Sequence, residues 1–186
     1  MANMIGREFF DGNTRFAGVP GPWLLSALEA VTDRIPDEDL KTLGARRILI
    51  APLGWAWENL GSVRDWPEGE NAPAWAGPMY RTRPDGEAEI GGWLVELSPA
   101  YEARPRRAAI NVISHEFAHV FLRHGEGLGS EVSRGREAEA WRQQAAWGFA
   151  EELTKGMDEL LSADNVDARV RADIERELPA LRLKVA

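Results

Sequence analysis

The sequence of 186 residues contains no cysteine and only three histidines. The absence of cysteine excludes disulfide bridges, thiolate metal ligands and cysteine nucleophiles. No apolar run approaches the roughly 18 residues that a membrane-spanning helix needs. The segment Met1–Phe10 lacks the charged, apolar and small-residue regions of a signal peptide. We therefore expect a soluble, cytoplasmic protein that makes no membrane contact.

Basic residues are outnumbered, with 22 Lys and Arg against 30 Asp and Glu, so the formal net charge is −8. Proteins that bind nucleic acid directly usually carry a basic stripe, because neutralising phosphates provides much of their affinity. Only two short basic clusters occur, at Arg46–Arg47 and at Arg104–Arg107. The charge distribution therefore disfavours direct binding to nucleic acid.

Length and composition indicate one folded domain over residues 1–186, since 44% of the residues are hydrophobic. The patterns divide this domain into three parts. Residues 1–89 form an N-terminal helical and Trp-rich region, residues 90–150 form the expected core, and residues 157–186 form a C-terminal helix.

Periodicity and turn residues predict the elements of an α+β fold. The expected helices cover 22–35, 37–43, 105–124, 136–155 and 164–178, and the expected strands cover 47–52, 79–83 and 89–97. The helix at 105–124 is apolar nearly all the way round, which indicates a buried position. We expect a small mixed sheet packed against this buried helix and the long helix that follows it.

Residues 54–78 contain four Trp residues among Gly, Pro and Glu, without any period. We interpret this segment as a long surface loop. Two interpretations remain open: the indoles pin the loop to the core, or they form a cleft wall or a partner-docking surface.

The predicted buried helix carries the motif H-E-x-x-H, with His115, Glu116 and His119. Residues four apart lie on one face of a helix, so both imidazoles can reach one metal ion. Glu116 is rotated by about 100° and would lie beside the ion, where it can act as a base. Burying these polar groups without partners would cost roughly 1–3 kcal/mol each, and a metal ion removes that cost.

A zinc site of this kind needs a third protein ligand and leaves one position for water. His124 lies one residue too early for the longer motif H-E-x-x-H-x-x-G-x-x-H, and Leu122 replaces its glycine. We therefore interpret His124 as a helix-end residue. A glutamate after the glycine-rich connection 125–135 is the other source. Glu137 and Glu139 point about 200° apart on a helix, so only one of them can face the metal.

Three segments together resemble the ImmA/IrrE family of zinc metallopeptidases: Gly92–Ser98, Arg106–Gly125 and Arg136–Trp141. They cover roughly residues 90–150. The resemblance implies a zincin-like fold, Zn²⁺ as the cofactor, and a protein or peptide substrate such as a regulatory protein. It also implies that Glu137 is the third ligand, with Glu139 as the alternative. Trp141 departs from the family pattern, in which an Asp or Asn commonly occupies this position and orients a ligand.

These observations predict a gluzincin-like peptidase in which metal-activated water attacks the peptide bond and Glu116 is the general base. Tyr80, Tyr101 and His124 are candidate donors to the oxyanion, and the strand 93–97 could pair with an extended substrate as a sheet edge. Two alternatives stay open. One is a zinc-stabilised regulatory or protein-binding module with little or no turnover, and the other is a metal-free interaction protein.

Overall fold

The computed structural model describes residues 14–55, 74–125, 135–164 and 166–185. The expectations for residues 1–10, for most of the Trp-rich loop and for most of the connection 125–135 lie outside these ranges. The described strands are β1 Arg15–Phe16, β2 Ile48–Pro52, β3 Ala74–Thr82 and β4 Ala88–Leu97. The described α-helices are α1 Pro22–Thr32, α2 Asp37–Gly44, α3 Arg106–Phe121, α4 Arg136–Ala146, α5 Ala150–Leu161 and α6 Ala168–Arg182, and a 3₁₀ helix covers Pro99–Ala103.

The strands form one sheet in the order β1-β2-β4-β3. β1, β2 and β4 run parallel, and β3 pairs with β4 in the antiparallel direction. The prediction of an α+β fold with a small mixed sheet is therefore confirmed. None of the helices in the described parts of the chain combines the length and apolar composition needed to cross a bilayer.

The prediction that strand 93–97 lies at a sheet edge is wrong. Each of these residues is buried and belongs to β4, which pairs with β2 on one side and β3 on the other. A continuous buried run is typical of a central strand, because both of its faces are covered. Within the described residues the edge beside β4 is β3, which begins at Ala74 and so includes the end of the predicted loop 54–78.

Helix α3 is the central helix and contacts α1, α4, α5 and β3. Eight of its residues are buried, which confirms the expectation of a buried helix. It ends earlier than predicted, because Leu122 is its C-cap and Arg123 adopts a left-handed conformation with φ 61°. A left-handed residue after the cap is a common way for a helix to end.

The predicted single helix 136–155 is wrong, because the chain forms two helices, α4 and α5. Gly148 separates them with φ 87°, a conformation that glycine adopts without steric cost. The Arg34 guanidinium donates to the Gly148 carbonyl and pairs with Glu152 on α5. The break lets α5 pack against α6 in a second apolar cluster, which includes Trp141.

The C-terminal helix begins later than predicted. The Asp167 side chain caps α6 by accepting hydrogen bonds from the backbone N–H groups of Arg169 and Val170. An aspartate cap satisfies N–H groups that have no partner inside the helix.

Candidate metal centre

Helices α3 and α4 bring the predicted ligand atoms together. The Nε2 atom of His115 lies 3.1 Å from Oε2 of Glu137 and 3.1 Å from Nε2 of His119. The His119 Nε2 atom lies 3.4 Å from Oε1 of Glu137. A tetrahedral ion with ligands about 2.1 Å away would hold the ligand atoms about 3.4 Å from one another. The triad therefore has the spacing needed to hold a metal ion.

The donor set also fits a catalytic metal site. Two imidazole nitrogens and one carboxylate oxygen are a set that zinc uses in hydrolytic sites, with a fourth position left open. Without an ion, the two Nε2 atoms face each other at hydrogen-bonding distance, so only one of them can carry the proton between them. An ion would let both rings present lone pairs to the same point.

The two candidate glutamates have different neighbours. Glu137, in the first turn of α4, contacts both His115 and His119. Glu139 instead lies 3.1 Å from Nε2 of His124. The structure thus brings Glu137, and not Glu139, to the two histidines of the motif.

His124 follows the end of α3, as the sequence predicts, but its side chain is 7% exposed and joins the site. Its Nδ1 atom lies 2.9 Å from Nδ1 of His119, and its Nε2 atom contacts Glu139. If His119 binds a metal through Nε2, its proton must lie on Nδ1 and be donated to His124. His124 then carries its own proton on Nε2 and donates it to Glu139. We call His119, His124 and Glu139 the histidine relay.

Gln144 on α4 lies beside His115, the other histidine of the triad. His115 Nδ1 and the Gln144 Oε1 atom are both buried, and among the described residues neither has a partner with standard hydrogen-bond geometry. The Gln144 amide nitrogen donates to the Ser114 hydroxyl and to Asn111, which leaves its oxygen available for the ring. Gln144 thus offers this ring an amide oxygen, whereas the indole of Trp141, at the position where the family commonly has Asp or Asn, has no acceptor.

The charges around the triad oppose one another. Burial alone would lower the pKa of His115, but Glu137, Glu116 and the Gln144 side chain raise it above its usual value. Burial lowers the pKa of His119, with the charges of His115 and His124 acting in the same direction and Glu137 opposing them. Burial would raise the pKa of Glu137, but hydrogen bonds and charge from the two histidines hold it well below its usual range.

Glu116 lies outside the ligand triad and is 7% exposed. Burial raises its pKa to about 7; the charge of His115 opposes this rise and the charge of Glu137 adds to it. A carboxyl group with this pKa can exchange a proton near neutral pH. Glu116 directly follows His115 on α3 and lines one cleft with His115 and Glu137.

A cleft of about 530 Å³ opens onto the triad and is lined by His115, Glu116 and Glu137. This volume lies within the range of about 300–1,000 Å³ that is usual for small-molecule sites. Much of the remaining lining is apolar and comes from α3, α4, α5 and α6, including Val112, Trp141, Leu153, Met157 and Val170.

The three candidate oxyanion donors have different surroundings in the structure. His124 uses both ring nitrogens in the relay. Tyr80 is 50% exposed, and its hydroxyl donates to the Gly125 carbonyl at 3.4 Å. Tyr101 lines the cleft, and burial raises its pKa, with Glu116 among the nearby charges. Only Tyr101 of these three lines the cleft above the triad.

Comparison with known proteins finds no matching family model, no similar curated protein and no similar solved structure. The geometry and chemistry of the site are therefore the basis for inferring a function.

Proposed function

We propose that this protein is a zinc-dependent hydrolase, and more specifically a peptidase of the gluzincin type. The observation that carries the proposal is the convergence of His115, His119 and Glu137 beside the buried carboxyl group of Glu116. Two histidines one helical turn apart, with a glutamate from a following helix, form a site with an open fourth position. The open position and the cleft above it favour catalysis over a purely structural ion.

Bound by the triad, a zinc ion supplies a Lewis acid that activates water and polarises a carbonyl group. Glu116 takes a proton from the attacking water and delivers it to the amine that leaves. Its pKa of about 7 applies to the metal-free protein. A divalent cation nearby favours the ionised carboxylate, so Glu116 is a base in the loaded site. Tyr101 is the proposed donor to the developing oxyanion.

The relation of sheet and helix supports the zincin-like part of the proposal. Helix α3 packs directly against β3, the antiparallel strand at the sheet edge beside β4. An extended peptide can pair with a strand edge of this kind. We infer that the substrate is a protein or peptide and that residues 90–150 belong with the ImmA/IrrE metallopeptidases.

The test compares wild type with Glu116→Gln, both loaded with zinc, on peptides derived from a whole proteome. We expect cleavage by wild type only, with equal zinc content in the two proteins. Cleavage that survives in Glu116→Gln would contradict the assigned base. If both proteins hold zinc and neither cleaves any peptide, the alternative of a zinc-stabilised binding module replaces the peptidase.

A further inference from the structure

A second concave site lies away from the metal triad and is lined by four arginines. They are Arg46 and Arg47 before β2, Arg81 on β3, and Arg123 after α3. We call this site, of about 370 Å³, the arginine pocket. No Asp or Glu is among its lining residues in the described parts of the chain. This concentration of positive charge stands out in a chain with a formal net charge of −8.

The charges of the arginine pocket are only partly neutralised. Arg81 pairs with Glu89 at 2.5 Å, and Arg123 also has an interaction of its own. Arg46 differs, because its Nε atom is buried and has no hydrogen-bond partner among the residues that the structure describes. A buried charged donor without a partner costs more free energy than a neutral one, so such groups are normally paired. An anion in the pocket would offset the charge of the Arg46 guanidinium, which lines it.

The backbone that lines the arginine pocket contains a β-bulge. Gly91 is the extra residue of a bulge, since Ile90 pairs with Tyr80 and Gly92 with Met79. The β2 strand joins β4 only from Trp93 onward, so Gly91 has no ladder partner on either side. Bulges often occur next to functional sites, where they redirect the chain.

Close packing against these glycines positions the arginines. A Cβ atom on Gly92 would lie 2.7 Å from the Arg47 carbonyl oxygen, and one on Gly91 would lie 3.2 Å from Cδ of Arg81. Arg47 and Arg123 have φ of 57° and 61°, and they are the only non-glycine residues with positive φ in the described residues. Both arginines follow the end of a helix, where a left-handed residue is common.

We propose that the arginine pocket binds a phosphate group, either free phosphate or the phosphoryl group of a small molecule. Guanidinium groups bind phosphate oxygens through paired, charge-assisted hydrogen bonds. Several arginines around one cavity match a tetrahedral dianion better than a single carboxylate. The cavity exceeds the needs of one phosphate and lies near the lower end of the small-molecule range.

The test is calorimetric titration of the full-length protein, as purified, with inorganic phosphate at constant ionic strength. We expect saturable binding by wild type and at least about tenfold weaker binding by Arg46→Gln. Arg47→Gln is the second variant, because Arg47 is exposed and its replacement leaves the core intact. Arg182→Gln removes an arginine that pairs with Asp158 on α5, far along the chain, and should bind phosphate like wild type.

Phosphate could also bind at a metal ion, and the variants separate the two sites because no ligand of the triad lines the arginine pocket. Binding that both Arg46→Gln and Arg47→Gln leave unchanged would overturn the proposal, as would the absence of saturable binding. A parallel titration with phenyl phosphate distinguishes the sources. Equal or tighter binding of phenyl phosphate supports a phosphorylated molecule, and binding of inorganic phosphate alone supports the free ion.

Discussion

The buried carboxyl group of Glu116 makes a prediction about stability that can be measured without any substrate. In the metal-free protein its pKa rises from 4.5 to about 7, chiefly through burial. The folded protein therefore keeps this group protonated at pH values where the unfolded chain ionises it. Stability from this group is complete below about pH 4.5 and is lost as the pH rises through about 7.

The size of the loss follows from the rise in pKa. At about 1.4 kcal/mol per unit of pKa, the rise to about 7 corresponds to about 3 kcal/mol of unfolding free energy. Glutamine has nearly the same size as glutamic acid and carries no charge. The advantage of Glu116→Gln over wild type should therefore grow by up to about 3 kcal/mol between about pH 5 and about pH 8.

Urea unfolding of the metal-free proteins at these two pH values measures this difference. Glu102→Gln is the matched control, because Glu102 is exposed in the 3₁₀ helix next to the cleft. Its effect should stay within about 0.5 kcal/mol. Added zinc should shrink the advantage of Glu116→Gln, since a cation favours the carboxylate. A difference that does not change with pH would refute the reasoning about burial.

Three further predictions follow from the site and the helix break. His124→Leu should weaken zinc binding about 10–100-fold in a chelator competition, because it removes the acceptor for the His119 N–H group. His124→Asn should recover part of this loss. Wild-type zinc affinity in His124→Leu would rule out the histidine relay. The pKa of His115 is raised, so protons should compete with zinc for this ring already above about pH 6.5. The same chelator competition should therefore show weaker zinc binding at about pH 6 than at about pH 8. Equal zinc affinity at both pH values would contradict the assignment of His115 as a ligand. Gly148→Ala should lower the unfolding free energy by about 1–2 kcal/mol, since alanine is strained at φ 87°; unchanged thermal stability would contradict this.

The local part of the site follows directly from the sequence, because the spacing of His115 and His119 within one helix fixes their common face. The third ligand is different. Helical periodicity alone does not distinguish Glu137 from Glu139 as the third ligand, and only the resemblance to a family favours Glu137. Which carboxylate approaches depends on how α4 packs against α3, and that packing is set by contacts far apart in the sequence.

The histidine relay shows the same limit. His124 and Glu139 each have a structural explanation when read alone, one as a helix-end residue and the other as a polar residue in a first turn. Two features of the sequence point to this contact: all three histidines fall within one short segment, and a second glutamate follows Glu137 two residues later. Their contact depends on how α4 packs against the end of α3, and a local sequence pattern does not predict that packing.

The errors in the fold also have physical reasons. A single glycine inside a helical pattern does not reveal whether it breaks the helix, so the pattern predicts one helix across Gly148. Strand order is equally non-local: the run 93–97 contains Glu96 among four apolar residues, and this local pattern does not show that strands lie on both sides of it.

The central claim is that His115, His119 and Glu137 hold one divalent ion. Elemental analysis of protein purified without added metal, compared for wild type, Glu137→Ala and Glu139→Ala, tests it most directly. We expect about one zinc per chain in wild type, a loss of most of it in Glu137→Ala, and retention in Glu139→Ala. Full zinc content in Glu137→Ala, or none in wild type, would contradict the account.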